Sequence, residues 1–321
     1  LAFLMSHDND SFNRWEAGQQ LALRVLLRLI DVLRSDGTPT LDANFSAAYA
    51  RTLADGVLDP ALIAEALTLP AEEYIAEFMA VVDPQAIHVA RQYLRRNLAF
   101  AHRHALLDAY LRLTDDGPYR IDAQAMGRRR LRNLCLGYLV ELGNDEVRGL
   151  AMSQLRLGTS MTDVQAALTA LVHSGAPECS EALGAFHARW REEALVLDKW
   201  FAIQATAPLP GTLAQVRRLA ASSDFNIRNP NRVRSLVGVF SARNPVCFHA
   251  ADGAGYAFLA DYVCELNALN PQIAARLLAP LTQWRRFDAA RQQLMRAQLE
   301  RIGALPALSR DVAEVVEKSL L

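Results

Sequence analysis

The stretch Asn229-Pro230-Asn231-Arg232-Val233-Arg234-Ser235-Leu236 decides how this chain is read. Asparagine is a favoured helix cap, because its side-chain oxygen accepts backbone N–H groups that the first turn leaves unpaired. Proline suits the next position, where no donor is needed and its fixed φ already matches a helix. Val233, Leu236, Val237 and Phe240 then fall at i, i+3, i+4 and i+7, one apolar stripe at helical period, with Arg234 and Ser235 off it. The spacing predicts a helix over 230–242. The same device recurs at Asn244-Pro245 and at Asn270-Pro271, the latter opening a helix over 271–281.

Upstream, apolar periodicity between stop signals predicts helices over 12–33, 41–54, from Asp59-Pro60 to a turn at Leu69-Pro70, and over 84–113, the longest. Asp115-Asp116-Gly117-Pro118 ends that helix, and Tyr119-Arg120-Ile121 reads as a short extended link. Further helices fit 122–142, 145–156, 162–173, 179–190, 196–205 and 212–220, then 256–269, 289–302 and 310–320. No segment has the period-2 alternation that a sheet requires. Helix and short loop alternate in the rhythm of stacked hairpins, although no strict repeat of identity is present. The expected fold is all-α: a HEAT- or armadillo-like α-solenoid of antiparallel helical hairpins wound into a right-handed superhelix. One candidate sub-boundary lies at Ala207-Pro208-Leu209-Pro210-Gly211. Apolar helices abut it on both sides, so it reads as a turn within a single domain spanning 1–321.

Composition sets outer limits. At 321 residues the chain exceeds the size at which one globular core stops growing, about 250–300 residues, so either two domains or an elongated repeat array is expected. Thirty-four Lys and Arg against 35 Asp and Glu give a net charge of −1, so nothing draws the whole chain to nucleic acid or to an anionic membrane. Cys135, Cys179, Cys247 and Cys264 are scattered among apolar neighbours without paired spacing and read as reduced, buried thiols of a cytosolic protein. The most apolar stretch, 21–30, is interrupted by Arg24 and followed by Asp31, so no membrane span is expected. Leu1-Ala2-Phe3-Leu4-Met5 is too short for a signal peptide and reads as the start of an excised piece.

Searches for chemistry return little. There is no His-Glu-x-x-His zinc motif. His102 and His104, two apart on a helix, point to different faces. There is no Gly-x-Ser-x-Gly elbow, and Cys247 with His249 share no helix face, leaving a buried thiol beside a structural histidine. Asp252-Gly253-Ala254-Gly255-Tyr256 follows no strand and carries no lysine, so it is a turn rather than a phosphate cradle. Gly127-Arg128-Arg129-Arg130-Leu131-Arg132 is the one basic cluster; without an aromatic platform it reads as a solvated or domain-facing surface rather than a nucleic-acid site.

Asp198-Lys199-Trp200-Phe201, Asn229-Pro230-Asn231-Arg232, Phe248-His249-Ala250-Ala251-Asp252-Gly253, Asn270-Pro271-Gln272 and Arg285-Arg286-Phe287-Asp288, in that order, resemble the C-terminal domain of the bacterial aminopeptidase N family of zinc metallopeptidases. The resemblance runs from about Phe12 to Leu321. It implies an all-helical superhelix that closes over a catalytic domain, walls the active-site chamber and controls peptide access in a cytoplasmic bacterial enzyme. The implied partners are the N-terminal and catalytic domains of the same polypeptide and a peptide substrate, with neither nucleic acid nor membrane. Zinc, the general base and the substrate-amine motif Gly-x-Met-x-Asn belong to the missing part; no catalytic or metal-binding residue and no cofactor is expected in this chain.

Through Asn-Pro-Asn-Arg-x-Arg-Ser-Leu and Asn-Pro-Gln-x-Ala-x-Arg-Leu, the resemblance implies that Arg234, Gln272 and Arg276 line the chamber. Gln272 and Arg276 lie four apart on one helix face, and guanidinium groups bind carboxylate or carbonyl oxygens bidentately. On the residues alone, Arg234 and Arg276 read better as ties between helices to carboxylates such as Asp252, Asp261 or Glu265; with the resemblance added the two readings stand level. Trp200 is expected in the core between repeats and Lys199 at the surface. The alternative function is a stand-alone helical-repeat scaffold that binds a protein or peptide. The chain alone is predicted not to hydrolyse an aminoacyl reporter; chelator-sensitive cleavage by peptidase-free preparations contradicts that reading.

Overall fold

Each helix start is a local solution to the same problem, four backbone donors with no partner. In the computed structural model, which describes residues 1–115 and 117–321, the predicted caps Asp59, Asn229, Asn244 and Asn270 accept those donors, each bonding an N–H two or three residues ahead, and Asn144 and Asp288 do the same. Asp116, within the predicted 115–118 stop, lies outside the described residues.

The chain divides into two compact units. Leu1–Phe78 with Gln85–Leu183 make the first, and Met79–Pro84 with Gly184–Leu321 the second. The run at 207–211 lies inside the second. The helices are, in order, α1 (Ala2–His7), α2 (Ser11–Arg34), α3 (Ala43–Leu53), α4 (Pro60–Leu67), α5 (Glu72–Ala76), α6 (Pro84–Ala101), α7 (Arg103–Arg112), α8 (Ala123–Leu139), α9 (Asp145–Leu157), α10 (Met161–His173) and α11 (Cys179–Trp190). They continue as α12 (Ala194–Ala205), α13 (Thr212–Ala220), α14 (Pro230–Val233), α15 (Val239–Arg243), α16 (Pro245–Phe248), α17 (Ala254–Leu269), α18 (Pro271–Leu277), α19 (Ala279–Thr282), α20 (Ala289–Gly303) and α21 (Arg310–Leu320). Among the described residues there is no strand, only an isolated bridge between Val82 and Phe287.

The architecture is an all-α solenoid. In the first unit α7 packs on α8 and α9 on α10, while α8 also packs on α4 and α10. In the second, α17 pairs with α18 and α20 with α21, and the two hairpins stack through α17 on α20 and α18 on α21. Polar groups join helices as well as apolar ones. Gln154 of α9 accepts from Tyr110 Oη of α7 at 3.0 Å and donates to Asn133 of α8 at 2.8 Å and to the Asp163 carbonyl of α10 at 2.9 Å.

Three predicted helices differ from the structure. The 84–113 helix is broken at His102, whose backbone leaves helical geometry (φ −119°, ψ 23°) while its ring stacks on Tyr49 and its Nε2 lies 2.9 Å from Ser46 Oγ of α3. The helix over 271–281 breaks at Leu278 into α18 and α19. The 230–242 helix is α only at its ends: Arg234–Gly238 is a π-helical turn between α14 and α15. Val233, Leu236, Val237 and Phe240 nevertheless remain wholly buried, so the apolar stripe survives the wider turn. Serine hydroxyls bond back into this segment, Ser235 to the Arg232 carbonyl at 3.0 Å and Ser241 to that of Val237 at 2.9 Å. All four cysteines are free, but only Cys135 is fully buried; the other three are half-buried.

Asn244 does more than cap. Its amide donates at 2.9 Å to the Ala205 and Ala207 carbonyls, which tie the end of α12 to the start of α16, and the whole residue is buried. Asn244→Ala removes a cap bond and the side-chain donor to the buried Ala205 carbonyl, while Thr212 Oγ1 still donates to the Ala207 carbonyl at 2.9 Å; it is expected to cost about 2–4 kcal/mol, whereas Asn270→Ala, which loses a cap bond alone, costs about 1 kcal/mol. Urea midpoints at unchanged slope check the order; equal losses contradict it.

Candidate functional site

The site is built on the segment that opens at Asn229. Asp198 of α12 reaches across to it: Oδ1 accepts from Arg232 Nη1 at 2.7 Å and from Ser235 Oγ at 3.2 Å. The Arg232 guanidinium lies 5.2 Å from the centroid of the Phe201 ring, and its side chain is only 8% exposed. Asp198-Lys199-Trp200-Phe201 and Asn229-Pro230-Asn231-Arg232 are therefore two halves of one lock. Burial makes the lock strong, because each charge would be stranded without the other. Trp200 is half-buried rather than a core residue, packed beside the His187 and Phe201 rings, and Lys199 is half-buried as well.

The second lock joins two further motifs. The His249 ring stacks on Phe287 at 4.3 Å, and its Nδ1 lies 2.9 Å from Tyr256 Oη. Arg291 donates from Nε to the His249 carbonyl at 2.9 Å and pairs through Nη1 with Asp288 at 2.6 Å. Burial, reinforced by the Arg291 charge, holds His249 down to about 3, so the imidazole is neutral. Burial likewise pushes the Tyr256 phenol up. Each group is thus held in its neutral form near neutral pH, bonded to the other within the packed cluster.

The three predicted chamber residues lie on two segments of the second unit. Arg234 is the first residue of the π-helical turn, and its Nη1 donates only to Asn231 Oδ1 at 3.2 Å. Gln272 and Arg276 stand one turn apart on α18. All three are exposed. Among the described residues, Gln272 and Arg276 have no side-chain hydrogen bond or ion pair, and Arg234 has no carboxylate partner. Asp261 is paired instead with Arg301 at 2.8 Å, and Asp252 caps the turn before α17. The two arginine-bearing segments are adjacent: a Cβ built on Gly238 would lie 3.4 Å from Leu277 Cδ2 and 4.0 Å from Arg234 Cβ.

The basic cluster is engaged locally. Arg128 donates to the Thr114 carbonyl at 3.2 Å, Arg129 lies over the Tyr119 ring, Arg130 pairs with Glu65, and Arg132 donates to Tyr110 Oη at 3.2 Å. Two tyrosines thus meet a cluster that shows no aromatic platform in sequence. Among the described residues no group of three or more His, Cys, Asp or Glu could hold a metal ion, and no helix is long and apolar enough to cross a membrane.

A family model described as "Domain of unknown function (DUF3458_C) ARM repeats" matches residues 1–321. The chain belongs to this ARM-repeat family, the C-terminal domain of aminopeptidase N. It is 40% identical to aminopeptidase N of Escherichia coli over 323 residues, covering 100% of this chain and 37% of that protein. It is 41% identical to aminopeptidase N of Caulobacter vibrioides, covering 99% of this chain and 36% of that one. The chain thus spans little more than a third of the length of these relatives. Among solved structures, Legionella pneumophila aminopeptidase A in complex with aspartic acid superposes with a TM-score of 0.89 at 30% identity, covering 99% of this chain and 38% of that one.

Asp198, Ser235 and Gly238 are the site residues that sequence reasoning missed. Asp198 opens a quoted motif, but nothing in its spacing tells which arginine it meets. The neutral state of His249 has a thermodynamic consequence. The unfolded chain takes up a proton near pH 6.5 that the folded chain refuses until about 3, so the folded state binds fewer protons between these values and stability falls as pH is lowered through that window. Between pH 6.5 and 5, while carboxylates remain ionised, His249 is expected to contribute a slope of at most about 1.4 kcal/mol per pH unit. His249→Gln is expected to flatten that segment of the urea-stability curve; an unchanged slope contradicts the assignment.

Proposed function

We propose that this domain forms a wall of the peptide chamber in a zinc aminopeptidase that removes N-terminal residues from peptides, and that it governs which peptides enter. In this reading Arg234, Gln272 and Arg276 face the chamber water. One observation supports it above the others: these three polar side chains are exposed on adjacent segments, and neither arginine is neutralised by a carboxylate among the described residues. A guanidinium stays charged at any physiological pH and offers a planar fork to carboxylate or carbonyl oxygens, so such a pair suits the backbone and C-terminus of a peptide.

The remaining N-terminal and catalytic domains of the polypeptide supply the zinc, which polarises the scissile carbonyl and activates water when bound. In this reading the domain's own part is to position peptide, exclude bulk water and limit substrate size. The reading places the enzyme in the bacterial cytoplasm.

In the full-length enzyme, Arg234→Ala and Arg276→Ala are each expected to raise KM for tripeptides about tenfold, the loss of one charge-assisted hydrogen bond, while kcat for a single aminoacyl reporter stays within about twofold. Variants that match the parent on peptides of every length contradict the proposal.

A further inference from the structure

Arg234 sits between two residues held by one carboxylate. Asp198 Oδ1 receives both Arg232 and Ser235, the neighbours two before and one after Arg234. Arg232 and Ser235 are buried while Arg234 is exposed, so the anchor is internal and the residue it carries points to water. The far end of the same π-helical turn is set by Gly238, where Leu277 of α18 comes to within ordinary contact of the position a Cβ would take. Residue 276, next to Leu277, carries the second exposed guanidinium without a carboxylate partner among the described residues. A π-turn rotates side chains away from the register that an α-helix would impose, and such turns recur where a functional group must be aimed.

We infer that Asp198 is a positioning residue for substrate: through Arg232 and Ser235 it fixes the π-helical turn that aims the Arg234 guanidinium alongside Arg276. The inference rests on the chamber reading above, and adds to it a residue that touches no peptide. Asp198 differs from an ordinary structural ion pair in one respect. Its effect on peptide binding must pass through Arg234.

A double-mutant cycle in the full-length enzyme separates these roles. Asp198→Asn keeps the shape of the side chain and removes its charge. The expected result is a KM for tripeptides raised about three- to tenfold with kcat for a single aminoacyl reporter unchanged, and no further rise when Asp198→Asn is added to Arg234→Ala. Ser235→Ala leaves the Arg232 ion pair in place and is expected to act in the same direction, by about two- to threefold, again only when Arg234 is present. Should Asp198→Asn fail to unfold cooperatively, the Ser235→Ala cycle decides alone. Effects that multiply across the cycle, or that depress the short reporter in parallel, make the clamp merely structural and overturn the inference. Arginine variants that alter peptide KM beside silent Asp198 and Ser235 variants overturn it while the chamber reading stands. Silent arginine variants overturn both.

Discussion

One carboxylate, Asp198, carries a disproportionate share of the second unit. It neutralises a guanidinium that is almost wholly buried, and removing one partner of such a pair costs about 3–5 kcal/mol because the other charge is stranded. The geometry propagates from there. Arg232 and Ser235 are fixed to α12, the π-helical turn follows from them, and Gly238 lets α18 close against that turn. α18 in turn packs on α17 and α21. The Phe201 ring beside Arg232 supplies an apolar and quadrupolar wall that water would otherwise occupy.

Much of this was legible in the residues. The Asn-Pro and Asp-Pro pairs marked helix starts because capping is a local interaction, complete within three residues, and the structure makes those bonds at Asp59, Asn229, Asn244 and Asn270. Apolar spacing found the buried stripe of Val233, Leu236, Val237 and Phe240 for the same reason. What the residues concealed depends on partners distant in sequence. Nothing in the spacing around His102 says that its ring will be drawn to Ser46 and Tyr49 and break a long helix. A π-turn differs from an α-turn by a single hydrogen-bond register, and apolar periodicity over five residues is too coarse to tell them apart.

The site divides along the same line. Gln272 and Arg276 shared a face by helical geometry alone, and the structure leaves both exposed. The approach of Leu277 to Gly238, at the end of the turn that Arg234 begins, is encoded by no local pattern. The motifs behind the family resemblance prove to be mostly scaffolding: two are joined by Asp198 and Arg232, two by His249, Phe287 and Arg291. Buried residues of this kind brace neighbouring helices, and in the proposed reading the few exposed polar residues among them are those that face peptide.

The most direct test of the account is the distance from the Arg234 and Arg276 guanidinium groups to a bound, non-hydrolysable tripeptide in a crystal structure of the full-length enzyme. The account predicts at least one of them within about 3.2 Å of a peptide oxygen, directly or through one ordered water, with the Asp198 clamp intact. Both guanidinium groups paired with carboxylates of another domain, away from the peptide, would contradict it.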